Sequence, residues 1–212
     1  MLRHCLLQIL HQSRRPDVIA VHENAGRKSH RSMVEDVFTS LRIEGVDVIY
    51  QYTPDKLPMP EFFCWPLDVL LGLGCDYINK VDHDDLLYHN HFESQLSLIE
   101  STNNDYAMNA NAGLLVLSNK GGYRHNPSVD FGTWNPTGAH PNNIIFNRAV
   151  AKEFVAQMFA HHGLNDDAVL AAYVLPKFKG VKFHTEPTSC FVAHGKNVSV
   201  AGWSDVPPQE VL

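Results

Sequence analysis

Asp82, Asp84 and Asp85 crowd three carboxylates into four positions, with His83 among them. Like charges this close repel. Partial protonation, a neighbouring Lys or Arg, or a hard divalent cation with oxygen ligands would offset the repulsion. The stretch reads either as a metal site at the carboxyl end of a strand or as a solvated acidic turn that caps the next helix. A second acidic pair, Asp166-Asp167, follows Asn165 and precedes the apolar run Ala168–Leu175. On local grounds helix capping and the helix dipole account for it as well as chemistry does. Tyr88-His89-Asn90-His91 offers two imidazoles, but residues two apart do not share a helix face, so no second metal site is expected. His194 ends a strand-like piece and locally reads as a surface histidine.

These groups need elements to hold them. Leu2, Cys5, Leu6, Ile9 and Leu10 recur at helical spacing, and Pro16 marks the end of that helix. Asp17–His22 reads as a short strand, with Glu23-Asn24-Ala25-Gly26 as a loop. Met33, Val34, Val37, Phe38 and Leu41 form the next helical stripe, with Ser32 and Glu35 as its capping box. Val46–Tyr52 alternates as a strand. Phe62–Leu73 reads as a buried helix that tolerates Pro66 and stops at Gly74. A strand then runs from Asp76 into the acidic cluster.

That alternation predicts an α/β fold with right-handed crossovers and a mostly parallel sheet flanked by helices. In such sheets ligands bind at the carboxyl ends of the strands, where Asp82, Asp84, Asp85, Glu23 and Asn24 fall. A helix is expected from Phe92 to about Ser101. Strands are expected at Tyr106–Asn109 and Gly113–Leu117, arranged as a hairpin. Residues 118–142 read as a long functional loop carrying Trp134 and His140. Ile144–Phe146 is a strand, and Asn147 caps the helix that follows. Val181–His184 and Ser189–His194 are two further strands, and the tail from Gly202 is peripheral.

At 212 residues the chain suits a single domain, residues 1–212, with an ordinary soluble composition. A net charge of −6 and no Lys/Arg patch argue against nucleic-acid binding. No apolar run approaches transmembrane length. Cys5, Cys64, Cys75 and Cys190 are dispersed with no Cys-x-x-Cys pair, so neither a zinc finger nor a disulfide framework is indicated, and a reducing cytoplasm is the default expectation. Most of the 13 histidines are scattered.

Four stretches in order resemble glycosyltransferases of the GT-A fold, most closely the inverting family 2 type. Leu2–Gln12 followed by Pro16–Val21 is similar to the family's first helix and second strand. Tyr77–Asp85 is similar to the strand ending in its Asp-x-Asp motif. Asp166-Asp167-Ala168-Val169-Leu170 resembles the acidic pair opening the catalytic-base helix, and His194-Gly195-Lys196-Asn197-Val198-Ser199 the late His-x-x-Asn-x-Ser stretch. Two departures stand out. The family's first strand, part of the nucleotide pocket, would precede residue 2. Its second strand often ends in an Asp-rich turn, where this chain has His22-Glu23-Asn24.

The resemblance implies transfer of a sugar from a nucleotide diphosphate donor, a UDP-sugar foremost, to a hydroxyl of a glycan or other acceptor. It implies Mn²⁺ or Mg²⁺ as cofactor. Asp84 would be the direct metal ligand, Asp82 would hold the donor ribose or the metal through water, and His194 would be a further ligand. Glu23, Asn197 and Ser199 would contribute to the donor site. Asp167 would be the general base and Asp166 its neighbour. Residues 1–100 would form the nucleotide-sugar half, 101–200 the acceptor and catalytic half, and 201–212 a peripheral tail. Two other readings are a catalytically inactive GT-A-like domain that binds glycan or a partner, and a different nucleotide-sugar enzyme such as a nucleotidyltransferase. The latter would want a Gly-rich basic loop after the first strand, which this sequence does not have.

Overall fold

The computed structural model describes residues 2–24, 30–117, 123–130, 144–183 and 186–193. The order begins α1 (Leu2–Leu10), β1 (Val18–Asn24), α2 (Arg31–Ile43), β2 (Asp47–Thr53), α3 (Met59–Leu73), β3 (Tyr77–Asn79), β4 (Leu86–Leu87) and α4 (His91–Thr102). It continues with β5 (Tyr106–Asn109), β6 (Asn111–Leu117), β7 (Tyr123–Asp130), β8 (Ile144–Asn147), α5 (Arg148–Ala160) and α6 (Asp166–Val169). A π-helical turn Leu170–Val174, a 3₁₀ turn Leu175–Lys177, β9 (Gly180–Phe183) and β10 (Ser189–Ala193) close the described chain.

The strands form three hydrogen-bonded groups: β1-β2, β4-β10-β6-β7 and β3-β8-β5-β9. The α/β alternation is as the sequence predicts, but the pairing is mixed rather than mostly parallel. β1-β2, β5-β9 and β6-β10 are parallel, whereas β3-β8, β5-β8, β6-β7 and β4-β10 are antiparallel. β5 and β6 do not form a hairpin. They follow one another directly, yet β5 pairs with β8 and β9 while β6 pairs with β7 and β10. Part of the expected 118–142 loop is strand β7, while Trp134 and His140 lie outside the described residues.

Side-chain alternation along the strands sorts the core onto two faces of the sheets. Ile78, Met108, Ile144 and Phe146 pack with Phe63 and Leu67 of α3 and with Phe154 and Met158 of α5. The intervening Ala107 and Ile145 pack on the other face with Cys5 and Ile9 of α1 and with Phe92 and Ile99 of α4. A third cluster joins Leu6 of α1 to Val34, Phe38 and Leu41 of α2, against Ile19 and Val21 of β1. Helices α1, α2 and α4 therefore share one face, and α3 and α5 cover the other.

Helix ends follow local chemistry. Asn147 caps α5 as expected, its Oδ1 accepting from the N–H groups of Ala149 and Val150. Gly74 ends α3 at φ 86°, a left-handed conformation that favours glycine. Ser32 and Glu35 do not form a capping box. The N-cap of α2 is His30, so Ser32 already lies inside the helix, and Glu35 instead pairs with Arg31 and Arg42.

Candidate active site

The acidic turn leaves the carboxyl end of β3, as the sequence predicts. Extended backbone sets residues two apart on the same side, so Lys80 and Asp82 meet in an ion pair. The same ammonium reaches Asp166 Oδ2 at 3.0 Å and lies 5.1 Å from the centre of the Phe63 ring. Burial alone would lower the proton affinity of Lys80, but the carboxylates of Asp82 and Asp166 override it and push it up. Lys80 is thus a fixed cation that joins two acidic motifs more than eighty positions apart. Sequence reasoning passed over it, although its spacing from Asp82 was the signal.

Asp85 is 3% exposed. Its Oδ1 accepts from the backbone N–H of Val192 at 2.9 Å, tying the turn to β10. Burial, and then the charge of Asp82, raise its proton affinity well above the carboxylate norm. It does not cap the following helix, whose N-cap is Asn90. Asp84 sits between these two on the same turn, partly exposed.

The second motif is built by a helix start. Asn165 Oδ1 accepts from the N–H of Ala168 at 2.9 Å, which places Asp166 and Asp167 in the first turn of α6. Asp166 turns to Lys80. Asp167 is half-buried and pushed up to about 8, first by desolvation and then by the charge of Asp166, with Lys80 pulling the other way. Among the described residues no donor hydrogen-bonds its carboxyl group.

Glu23 lies in β1 rather than in a loop. It accepts from the Tyr50 hydroxyl, the His30 ring and the backbone N–H of His30, the last at 3.0 Å. Burial opposes its charge, but these donors more than compensate and lower its proton affinity. Asn24, next to it, receives the Leu57 N–H at 3.1 Å. Glu23, Asn24, His30, Lys80, Asp82 and His83 all line one cleft of about 1400 Å³.

The structure thus brings Asp82, Asp166 and Asp167 together around Lys80 and places Glu23 on the cleft that Asp82 and Lys80 also line. His194, Asn197 and Ser199 lie outside the described residues. His91 is not a metal ligand candidate: it is fully buried, its Nδ1 lies 3.1 Å from the Thr188 carbonyl oxygen, and burial lowers it to about 4. Among the described residues no group of three or more His, Cys, Asp and Glu is arranged to hold a metal ion. Asp82 and Asp84 nevertheless offer two hard, partly exposed oxygen donors on one turn. That fits a cation whose remaining positions are filled by phosphate and water.

No family model matches the sequence, and no curated protein matches it. Among solved structures the chain is similar to S. aureus TarS 1–349 in complex with UDP, with TM-score 0.58 and 12% identity, covering 92% of this chain and 57% of that one. It is also similar to S. aureus TarS, with TM-score 0.60 and 10% identity, covering 92% and 35%. For a further structure of S. aureus TarS 1–349 the TM-score is 0.58 and the identity 12%, covering 90% of this chain and 56% of that one. At these identities the likeness shows the fold, a GT-A-like α/β domain. No helix among the described residues is long and apolar enough to cross a membrane.

Proposed function

We propose that this chain is a glycosyltransferase domain that moves a sugar from a nucleoside diphosphate donor, a UDP-sugar foremost, to an acceptor hydroxyl with inversion. The observation that carries the reading is the Lys80 bridge. It sets the acidic turn after β3 beside the start of α6, and so brings Asp82 and Asp166, the neighbour of the half-buried Asp167, to one ammonium. The likeness in fold to TarS, solved with UDP, supports the donor class.

Asp167 is the general base. Its raised proton affinity makes it a better acceptor for a hydroxyl proton than an exposed carboxylate. As the acceptor oxygen bonds to the anomeric carbon, its proton passes to Asp167, and the bond from that carbon to the diphosphate oxygen breaks. Asp166 and Lys80 hold Asp167 in place. In this reading Asp84 would hold Mn²⁺ or Mg²⁺, with His194 as a further ligand, and Asp82 would serve the donor ribose or the cation through water. When bound, the cation would neutralise charge developing on the leaving diphosphate. Glu23, Asn197 and Ser199 would contribute to donor binding.

Calorimetry with UDP and Mn²⁺ tests this reading. The wild-type chain is expected to bind UDP more tightly with Mn²⁺ than without it. In Asp84→Ala that difference is expected to vanish. Equal Mn²⁺ enhancement in the variant removes Asp84 from the site.

A further inference from the structure

The segment that joins α5 to α6 carries the second acidic pair at its far end. His162, Gly163, Leu164 and Asn165 are all exposed. His161 ends α5, its N–H donating to the Gln157 carbonyl at 2.9 Å, and the Leu164 N–H returns to the His161 carbonyl at 2.9 Å. Asn165 then opens α6, its Oδ1 accepting from the Ala168 N–H and its carbonyl from the Val169 N–H at 3.1 Å. An exposed connection of this kind leaves the direction of the first helical turn to whatever holds its two ends.

Beyond Val169 the helix changes period. The Leu175 N–H donates to the Leu170 carbonyl, a π-type bond that spans five residues instead of four. The buried positions follow the same spacing, Val169 with Val174 and Leu170 with Leu175. An uninterrupted α-helix would set residue 173 on the core side, four after Val169. The wider turn instead leaves Tyr173 half-buried at the edge. There its ring stacks on that of His161, with centroids 3.8 Å apart and planes at 22°. That contact closes the segment from the end of α5 to the π turn, with Asp166 and Asp167 inside it. The π turn also meets the acidic pair directly, because the Leu170 N–H is shared by the carbonyls of Asp166 and Asp167. Single π turns of this kind occur frequently at functional sites.

We propose that His161 and Tyr173 are positioning residues for the general base: their stack holds the π turn in register and, through the Leu170 peptide, fixes the direction in which Asp167 leaves the first turn of α6. Without the stack, Tyr173 is free to join the core stripe, the turn relaxes towards an α-helix, and the residues ahead of it rotate. A change of one residue in helical phase swings a side chain by roughly 100° about the axis. A base must lie within hydrogen-bond reach of the proton that it takes, so such a swing removes it from the reaction. Asp167 as the base of glycosyl transfer is the premise for the catalytic consequence; the structural one needs only the stack.

Three variants test this. Tyr173→Leu keeps an apolar side chain and removes the stack, His161→Ala removes the other partner, and Tyr173→Phe keeps both rings. In Tyr173→Leu and in His161→Ala, kcat for transfer from a UDP-sugar is expected to fall by about tenfold to a hundredfold, with KM for the donor unchanged. Tyr173→Phe is expected to match wild type. The double variant Tyr173→Leu with His161→Ala is expected to lose no more than either alone, since both act through one contact. Carbon-13 NMR of the Asp167 carboxyl gives a readout that needs no turnover. Its titration midpoint, raised in wild type by desolvation, is expected to fall by about one pH unit or more in Tyr173→Leu and His161→Ala, as a carboxyl no longer held reaches water. It is expected to stay in place in Tyr173→Phe. An unmoved midpoint in both stack-breaking variants overturns the proposal whether or not the chain transfers sugar. So does equal loss in Tyr173→Phe and Tyr173→Leu, which would put the effect on the hydroxyl or on general packing. A wild-type chain that binds UDP but transfers no sugar counts against glycosyl transfer, and the midpoint then decides the role of the stack by itself.

Discussion

The two acidic turns are built alike up to a point and then diverge. Each gives one carboxylate to Lys80, Asp82 from the turn after β3 and Asp166 from the start of α6. Each also withdraws a second carboxylate from water, Asp85 fully and Asp167 in part, and raises its proton affinity, chiefly by desolvation. These second carboxylates differ in what meets them. Asp85 accepts the Val192 N–H and fastens the turn to β10. Asp167 has no hydrogen-bond donor among the described residues. A buried carboxyl with a backbone partner is a fastener. One with no donor among the described residues, beside a second carboxylate, is the group that the proposed reaction uses to take a proton. Burial alone would have singled out Asp85, since Asp167 is only half-buried.

The sharpest way to break this contrast is Asp167→Asn. Loss of a general base costs on the order of 10²–10⁴ in rate, so transfer is expected to fall by that much while UDP affinity measured by calorimetry stays unchanged. Transfer at wild-type rate would move the base elsewhere. Next in size is Lys80→Met. Removing one partner of a mostly buried ion pair costs roughly 3–5 kcal/mol, and Lys80 serves two carboxylates, so a large drop in melting temperature is expected. A melting temperature close to wild type would show that the bridge is not formed in solution.

The pH profile sharpens the same comparison. Asp167 must be ionised to accept a proton, so activity is expected to rise through about pH 8. In Lys80→Met that rise is expected at higher pH, because the ammonium is what lowers the proton affinity of Asp167. The stability linked to Asp167 runs the opposite way. Its folded value is raised, so its contribution is complete below the unfolded carboxyl value and is lost as pH climbs to about 8. Thermal melting across that range in wild type and Asp167→Asn isolates it, and a wild-type slope that Asn does not flatten contradicts the assignment. The smallest effect is at Asp85. Asp85→Ala orphans the Val192 N–H and is expected to cost about 1–3 kcal/mol. Asp85→Asn keeps an acceptor and is expected to recover most of that in denaturant unfolding. Equal loss in both variants would mean that the Val192 hydrogen bond contributes little.

Much of this was readable along the chain. The apolar stripes of α1, α2 and α5, the stop at Gly74 and the cap at Asn147 are local signals, and the structure follows them. The acidic turn also falls where expected, at the carboxyl end of β3. The misreadings came where partners are distant. Tyr106–Asn109 and Gly113–Leu117 look like hairpin strands because they are adjacent, but strand pairing is decided by which remote strand offers a matching edge. Glu23 read as a loop residue because a charged side chain depresses β-propensity. Tyr50, on β2 opposite Val21 and so diagonal to Glu23, supplies the donor that lets it sit in a strand.

The sequence alone determined which residues are able to do chemistry, because residue type and close spacing carry that information. It also determined the alternation of helix and strand, because periodicity is local. Only the tertiary structure decided that Lys80 stands between Asp82 and Asp166, and that Asp85 accepts the Val192 N–H while Asp167 has no hydrogen-bond donor among the described residues. Proton affinity and edge pairing depend on what packs within a few ångströms, and those neighbours come from segments far apart in the chain.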